Sequence, residues 1–390
     1  MRDSSGGRVR IAFFDGYALD AGAGIALRDL IAGINRDRFE PIALLPREGP
    51  LESMLREINC SVDVIEPPPP LSEFGRRLAE AGAWRKLKAI RALMLYSFTV
   101  AQWLRSHQVD LLHCNQTRAI FKAGPGGRLA GMPVTWNVRI RERLPRAVVR
   151  LCDECADLII PLTDCDFAGL PDEERLRSKS IVIRNAIDTQ RFSPSRDAVS
   201  VRRRLGFGEG PLVLTAGVLT PRKGFDLAIR AMGQVVNAHP EASLLIAGGE
   251  PGISDGCRPQ LEALAADHRL SGSVKLLGHR EDMPDLMAAC DLFVLASHAE
   301  GDPAVVLEAM ATARPVVATS PAAAGVSDGV TGLTVPPGDV DALAAAMLQV
   351  LADPDRARQM GEAGRSNVEA EHDIRAMVRR YEAAWEGLVI

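Results

Sequence analysis

Residues 291–320 read DLFVLASHAEGDPAVVLEAMATARPVVATS. The apolar run DLFVLAS has strand length and ends near Ser297. PAVVLEAMATA then carries helix formers, and RPVVATS is a second apolar run. Strand, helix and strand in this short space make a βαβ unit, whose two strands run parallel. Asp302 before Pro303 predicts an N-cap followed by proline at the first helical position. Two carboxylates flank that start, Glu300 on the loop and Glu308 in the second helical turn. Val305, Val306, Leu307, Ala309 and Met310 surround Glu308, and a carboxylate among apolar neighbours needs hydrogen-bond donors. A diol offers two O–H groups to one carboxylate. The competing reading is a helix salt bridge or an exposed side chain.

Short apolar runs alternate with helical patterns along the whole chain. In the first half VRIAFF, FEPIALLP, SVDVIEP, VDLLH, MPVTWNV, ADLIIPLT and KSIVIRN read as strands. In the second half the strands are GPLVLTAGVL, ASLLIAGG, SVKLLG, DLFVLAS, RPVVATS and GLTVPPG. FDLAIRAMGQVVNAHP has apolar residues at 228, 231, 232 and 235, the spacing of one helix face. A chain of 390 residues suits two domains. Periodicity is lost over 186–209, where Pro, Gly and charge accumulate. The expected fold is α/β, with two Rossmann-like doubly wound domains in tandem and an interdomain cleft. The expected division is 1–188 and 189–371. A C-terminal helix over 372–390 packs back toward the first domain. Ligands of open α/β sheets sit at the carboxyl ends of the strands, so the loops after the strands should carry the site.

The composition, 47% hydrophobic and 25% charged, is that of a globular protein. The polar stretch MRDSSGGRVR leads into IAFF, an apolar run too short for a signal core or a membrane span. A cytoplasmic protein is expected, peripheral at the inner face of the membrane if it meets lipid. Seven cysteines without a signal segment are expected to be reduced. Cys152 and Cys155 have C-x-x-C spacing but lack a second pair, so they read as core residues and no metal site is expected. The net charge of −4 divides into +4 over 1–194 and −8 over 195–390, which turns the first half toward anionic partners. Residues 74–105 hold seven Lys and Arg against one Glu, with Trp84, Leu87, Leu93, Leu95, Phe98 and Trp103 interleaved. That pattern fits an anionic membrane surface, or a helix packed on the sheet with a solvated basic face. Arg139, Arg141, Arg143, Arg146 and Arg150 form a second basic cluster, suited to an anionic ligand. Few aromatics and a negative net charge argue against nucleic acid.

Three loops carry the chemistry. DAGAG, with Gly22 and Gly24, can bring backbone N–H groups onto phosphate or be a plain strand-to-helix turn. It lacks the third glycine of a dinucleotide fingerprint. GVLTPRKGFD, from Gly217 to Asp226, sets Arg222 and Lys223 at a helix start, where two cations suit a polyanion. His279 and Arg280 follow a strand end, where a base or ribose could rest.

These segments also resemble a known family. EGDPAVVLEAMATARPVVATSPAAAGVSDGVTGLTVPPGD looks like the signature of the retaining nucleotide-sugar glycosyltransferases of family 4, which have the GT-B architecture. GVLTPRKGFD, SVKLLGHREDMPDLMAACDLFVLASHAEG and IVIRNAIDTQRFSP resemble further family segments in the same order. The first half resembles the family more weakly, through PIALLPREGPLESML and VDLLHCNQTRAIFKAGPGGRLAGMPV. The resemblance implies a sugar transferred from a UDP- or GDP-linked donor to a glycan, lipid-linked or small-molecule acceptor. It implies retention of configuration and no cofactor beyond the nucleotide-sugar co-substrate. By resemblance Arg222 and Lys223 neutralise the diphosphate, and Glu308 holds the ribose hydroxyls. Glu300 lies near the sugar, and Gly301, Asp302 and Pro303 meet phosphate or sugar. Gly217 belongs to the same donor loop, His279 and Arg280 border the base, and Gly22 approaches the phosphates.

The chain departs from the pattern at Val218, Ala21, Asp302 and Ala313. Arg139 falls where many members place the histidine that touches the transferred sugar. Arginine cannot act as a base near neutral pH but can donate hydrogen bonds or hold an anion. Arg139, Arg222, Lys223 and Glu300 are therefore the expected catalytic set. Two other readings share the architecture: a non-catalytic nucleotide-sugar-binding protein, and a nucleotide-sugar 2-epimerase that turns over donor without acceptor.

Overall fold

The computed structural model describes residues 7–19, 22–71, 82–139, 144–168, 170–194, 197–204, 206–250, 257–320, 323 and 325–389. Ala21, Arg141, Arg143 and the 74–81 part of the basic stretch lie outside the described residues. The chain divides into two compact units, Met1–Arg184 with Ile374–Ile390, and Asn185–Asp373.

In the first unit six strands form one sheet: β1 (Val9–Asp15), β2 (Phe39–Leu45), β3 (Ser61–Val64), β4 (Leu111–Asn115), β5 (Val134–Val138) and β6 (Leu158–Pro161). Between them run α1 (Gly22–Gly33), α2 (Pro50–Glu57), α3 (Ala83–Ser106), α4 (Thr117–Ala130), α5 (Arg146–Cys155) and, after β6, α6 (Glu173–Ser178). The strand order is β3-β2-β1-β4-β5-β6, and every pair is parallel. β4 and β5 are buried at every position, as strands covered on both faces must be. The terminal helix Ile374–Val389 belongs to this unit and buries Val378, Tyr381 and Trp385. Trp385 meets Phe13 edge-on at 5.6 Å, and Asn137 Nδ2 donates to Tyr381 Oη at 2.8 Å. Cys152 and Cys155 lie in the hydrophobic core, where burial pushes the Cys155 thiol up to about 11.

The second unit repeats the plan. Its sheet holds β7 (Leu212–Ala216), β8 (Ser243–Ala247), β9 (Val274–Gly278), β10 (Leu292–Leu295), β11 (Val316–Thr319) and β12 (Gly332–Val335). The order is β12-β11-β10-β7-β8-β9, again all parallel. Its helices are α7 (Ala198–Arg204), α8 (Phe225–Ala238), α9 (Cys257–Asp267), α10 (Met283–Ala289), α11 (Ala304–Ala311), α12 (Val340–Ala352) and α13 (Pro354–Glu371). In each sheet the chain reverses its direction of growth between two central strands, β1 and β4 in one, β7 and β10 in the other. Ligands bind at such switch points, outside the carboxyl ends of the strands.

Two local expectations are corrected. KSIVIRN forms no strand, only a bridge from Ser180 to Ile159. Ile181 N and Ile183 N do donate along β6, but the Val182 carbonyl accepts from Arg380 instead of extending a ladder. Asp302 is not an N-cap. Pro303 occupies the cap position of α11, and the Asp302 carboxylate accepts from the backbone N–H of Asn185 at 2.8 Å.

Candidate active site

At the switch point of the second unit, the loop after β7 (residues 217–224) touches the loop after β10 (residues 296–303). Gly224 makes this contact possible. Its φ is 64°, and a Cβ there would lie 2.1 Å from the Ala296 carbonyl oxygen. Across the contact, Lys223 Nζ lies 2.7 Å from Glu300 Oε1 and Arg222 Nη1 lies 3.0 Å from Glu300 Oε2. Arg222 also donates to the Ala299 carbonyl, and its own carbonyl accepts from His298 N at 2.9 Å. Lys223 runs over Gly217, where a Cβ would sit 3.0 Å from Lys223 Cε. The Glu300 and Lys223 side chains are only 8% and 11% exposed, whereas Arg222 is 41% exposed. Burial pushes the Glu300 carboxyl up, but Lys223 and then Arg222 outweigh it and hold the group below its ordinary value. Two cations against one carboxylate leave a local excess of positive charge, suited to an anionic ligand.

Gly301, Asp302 and Pro303 complete the loop. Asp302 is buried, and its carbonyl accepts from Asn185 Nδ2 at 2.6 Å. The Asn185 carbonyl is 2.9 Å from His372 Nδ1, and Ile187 N donates to the His372 carbonyl. The loop over 301–303 is thereby tied to both chain segments that enter and leave this unit. Glu308 sits half-buried in the second turn of α11. His279 is exposed after β9, two strands from β7. Arg280 is committed to Asp282 through two contacts, of 2.8 and 2.6 Å. The structure therefore joins Gly217, Arg222, Lys223 and Glu300 directly, with 301–303 beside them.

The switch point of the first unit holds a polar cluster that sequence reasoning missed. Asp15 and Asn115 are register partners at the ends of β1 and β4. Asp15 is buried and accepts from Tyr17 N, Ala18 N, Asn115 Nδ2 and Gln116 Nε2, at 2.8, 2.9, 2.8 and 3.1 Å. Burial raises the Asp15 carboxyl despite these donors. Two of its partners have positive φ, Ala18 at 59° and Gln116 at 106°, conformations that non-glycine residues adopt at a cost. Arg139 Nε donates to Asn115 Oδ1 at 2.6 Å, so the expected catalytic arginine stands at the end of this chain of hydrogen bonds. Lys122 is 4% exposed and reaches Gly16 O at 3.4 Å. Burial, with Arg118 beside it, lowers the Lys122 amine to about 8. Arg118 stacks 4.5 Å from the Tyr17 ring, and Arg47 donates to Tyr17 O. In α1, Gly22 has open space about it, whereas a Cβ on Gly24 would strike Leu19 O at 2.1 Å. An aspartate ending a strand was the one signal of this cluster. Its side-chain partners, Asn115 and Gln116, lie a hundred residues away and have no spacing to detect.

The family profile for glycosyl transferases group 1 matches residues 210–353, the segment that carries the Lys223–Glu300 pair. The GDP-mannose-dependent alpha-(1-6)-phosphatidylinositol monomannoside mannosyltransferase of Mycolicibacterium smegmatis is 37% identical over 327 residues, 75% of this chain and 81% of that protein. The chain belongs to the glycosyl transferases group 1. Another relative of this family is the GDP-mannose-dependent monoacylated alpha-(1-6)-phosphatidylinositol monomannoside mannosyltransferase of Corynebacterium glutamicum. It is 39% identical over 227 residues, 55% of this chain and 56% of that protein, so the match spans little more than half its length. Among solved structures, Anabaena HepE in complex with UDP and glucose superposes with a TM-score of 0.83 at 23% identity, covering 98% of this chain and 100% of that one. Sucrose-phosphate synthase from Thermosynechococcus elongatus gives 0.77 at 22% identity, covering 98% and 99%. These two likenesses are of fold, and the fold of this group 1 glycosyltransferase is GT-B. Among the described residues, no helix is long and apolar enough to cross a membrane.

Proposed function

We propose that the chain transfers a sugar, mannose first among candidates, from a nucleotide-diphosphate donor to a lipid-linked acceptor with retention of configuration. The observation that carries this reading is the buried Lys223–Glu300 pair, with the more exposed Arg222 beside it, at the switch point of the second sheet. Relatives named as GDP-mannose-dependent phosphatidylinositol monomannoside mannosyltransferases favour GDP-mannose and an acceptor with a lipid anchor. UDP-linked sugars are the next donors to try.

Transfer breaks the bond between the sugar anomeric carbon and the β-phosphate oxygen, and that oxygen gains charge as it leaves. Arg222 and Lys223 take this charge, a role worth about two orders of magnitude in kcat. Arriving phosphate competes with Glu300 for the two cations, and the carboxylate turns toward the sugar. Glu308 holds the ribose diol, and His279 borders the base. Asp15, the buried carboxylate at the end of β1, is filled by four donors and does not stand ready as a covalent nucleophile. The acceptor oxygen therefore attacks from the face the diphosphate leaves, and its proton passes to the departing phosphate oxygen. Arg139 and its Asn115–Asp15 support hold the acceptor side without acting as a base.

A non-catalytic reading rests on Arg139 in place of a histidine. Incubation with GDP-[14C]mannose and membrane lipids separates the two. Label entering the organic phase, lost about a hundredfold in Lys223→Ala, supports transfer. GDP-mannose that binds while no label moves into lipid supports the non-catalytic reading.

A further inference from the structure

Among the described residues, helix α3 (Ala83–Ser106) packs on the first unit along one side. Ala89, Ala92, Tyr96, Val100 and Leu104 are buried. Tyr96 Oη donates to Ile65 O at 2.8 Å and Trp103 Nε1 to Asp63 Oδ2 at 2.7 Å, so the helix cannot roll about its axis. The opposite side carries Trp84, Leu87, Ile90, Met94, Leu95 and Phe98, exposed by 68, 56, 55, 60, 59 and 58%. At about 100° per residue these six fall within one arc of about 140°. They are most of the large apolar side chains exposed among the described residues.

The charge on this helix has one sign. Arg85, Lys86, Lys88 and Arg91 are all exposed, and α3 contains no Asp or Glu. Lys88 Nζ lies 5.5 Å from the Trp84 ring, so cation and apolar face are contiguous. Two copies of the chain meeting through this face would bring like charges together. An anionic lipid surface matches both features at once, with acyl chains for the apolar stripe and headgroup phosphates for the cations.

We propose that the outer face of α3 docks the protein on a bilayer rich in anionic lipid. The helix lies in the plane of the interface, with Trp84, Leu87, Met94 and Phe98 at the acyl boundary and Lys88 and Arg91 on phosphates. This docking is independent of the transfer reading and needs no nucleotide.

The four tryptophans make the test direct. Trp84 is exposed, whereas Trp103, Trp136 and Trp385 are 8, 0 and 0% exposed. Emission of the full chain is followed on adding phosphatidylglycerol–phosphatidylcholine vesicles or pure phosphatidylcholine vesicles, with flotation in parallel. The expected result is a blue shift and co-flotation with the anionic vesicles, weakened by salt. Leu87→Glu with Phe98→Glu lowers the floated fraction at least tenfold, while melting temperature stays unchanged. Lys88→Gln with Arg91→Gln weakens anionic partition by roughly fivefold per cation. A folded wild type that neither shifts nor floats with anionic vesicles overturns the proposal, as does equal flotation with both compositions. A wild-type dimer in sedimentation that dissociates in the Leu87→Glu, Phe98→Glu variant assigns the face to a second copy and likewise overturns it.

Discussion

Glu300 is a buried carboxylate kept charged by two cations, and each of the three residues depends on the others. Replacing it by glutamine leaves Lys223 buried without its counter-charge, which costs about 3 kcal/mol at neutral pH. The sign of the pH dependence follows from the lowered carboxyl. The ion pair stabilises the fold fully above the unfolded value near 4.5, and the contribution is lost as pH falls through the lower folded value. Melting curves of wild type and Glu300→Gln should therefore differ most at neutral pH and converge in acid. Lys122 behaves oppositely. Its folded value of about 8 lies below its ordinary 10.5, so its charge opposes folding below pH 8, and the penalty is relieved as pH rises toward 10.5. Lys122→Met should melt higher than wild type at pH 7, with the gap closing by pH 10. A variant that melts lower at pH 7 would show the lysine to be a net stabiliser. Arg222, Lys223 and Glu300 were legible because each lies in a local motif of strand end, loop and helix start. Lys122 and Asp15 were not, because their setting comes from burial and from strand pairing.

The loop before α11 shows how an element can be placed correctly and its start misread. The sequence pattern Asp302-Pro303 fits a cap, yet the Asp302 carboxylate is taken by the amide of Asn185. Local pattern cannot report a partner more than a hundred residues away. The consequence is testable as positioning. Asp302→Ala frees the loop and should raise the donor KM while lowering kcat less. Asp302→Asn, whose amide oxygen can still accept from Asn185 N–H, should recover the KM. Equal loss in both variants would mean that the aspartate charge itself meets the donor. Ala313 closes the turn after α11 with φ 54°, where the family resemblance puts glycine. Relief of the left-handed strain gives Ala313→Gly about 1 kcal/mol of added stability, or about 2–4 °C in Tm. An unchanged or lower Tm would contradict the strain argument.

Across the whole chain, the alternation of strands and helices was enough to specify two α/β units with parallel sheets, because buried parallel strands read as plain apolar runs. The strand order was not legible. Both sheets adopt the same order, with switch points at β1/β4 and β7/β10, and this brings loops distant in sequence together. The second unit's site was readable as motifs, whereas the first unit's Asp15–Asn115–Arg139 chain exists only once β1, β4 and β5 are side by side. If the chain transfers sugar as proposed, the cations at the second switch point hold a nucleotide-diphosphate sugar. Calorimetric titration of GDP-mannose and UDP-glucose into the full chain, with Lys223→Ala and Glu308→Ala alongside, tests it most directly. Saturable binding of one donor by the wild type, weakened at least tenfold in both variants, is the predicted result. A folded wild type that binds neither donor, or variants that bind as tightly as the wild type, would contradict it.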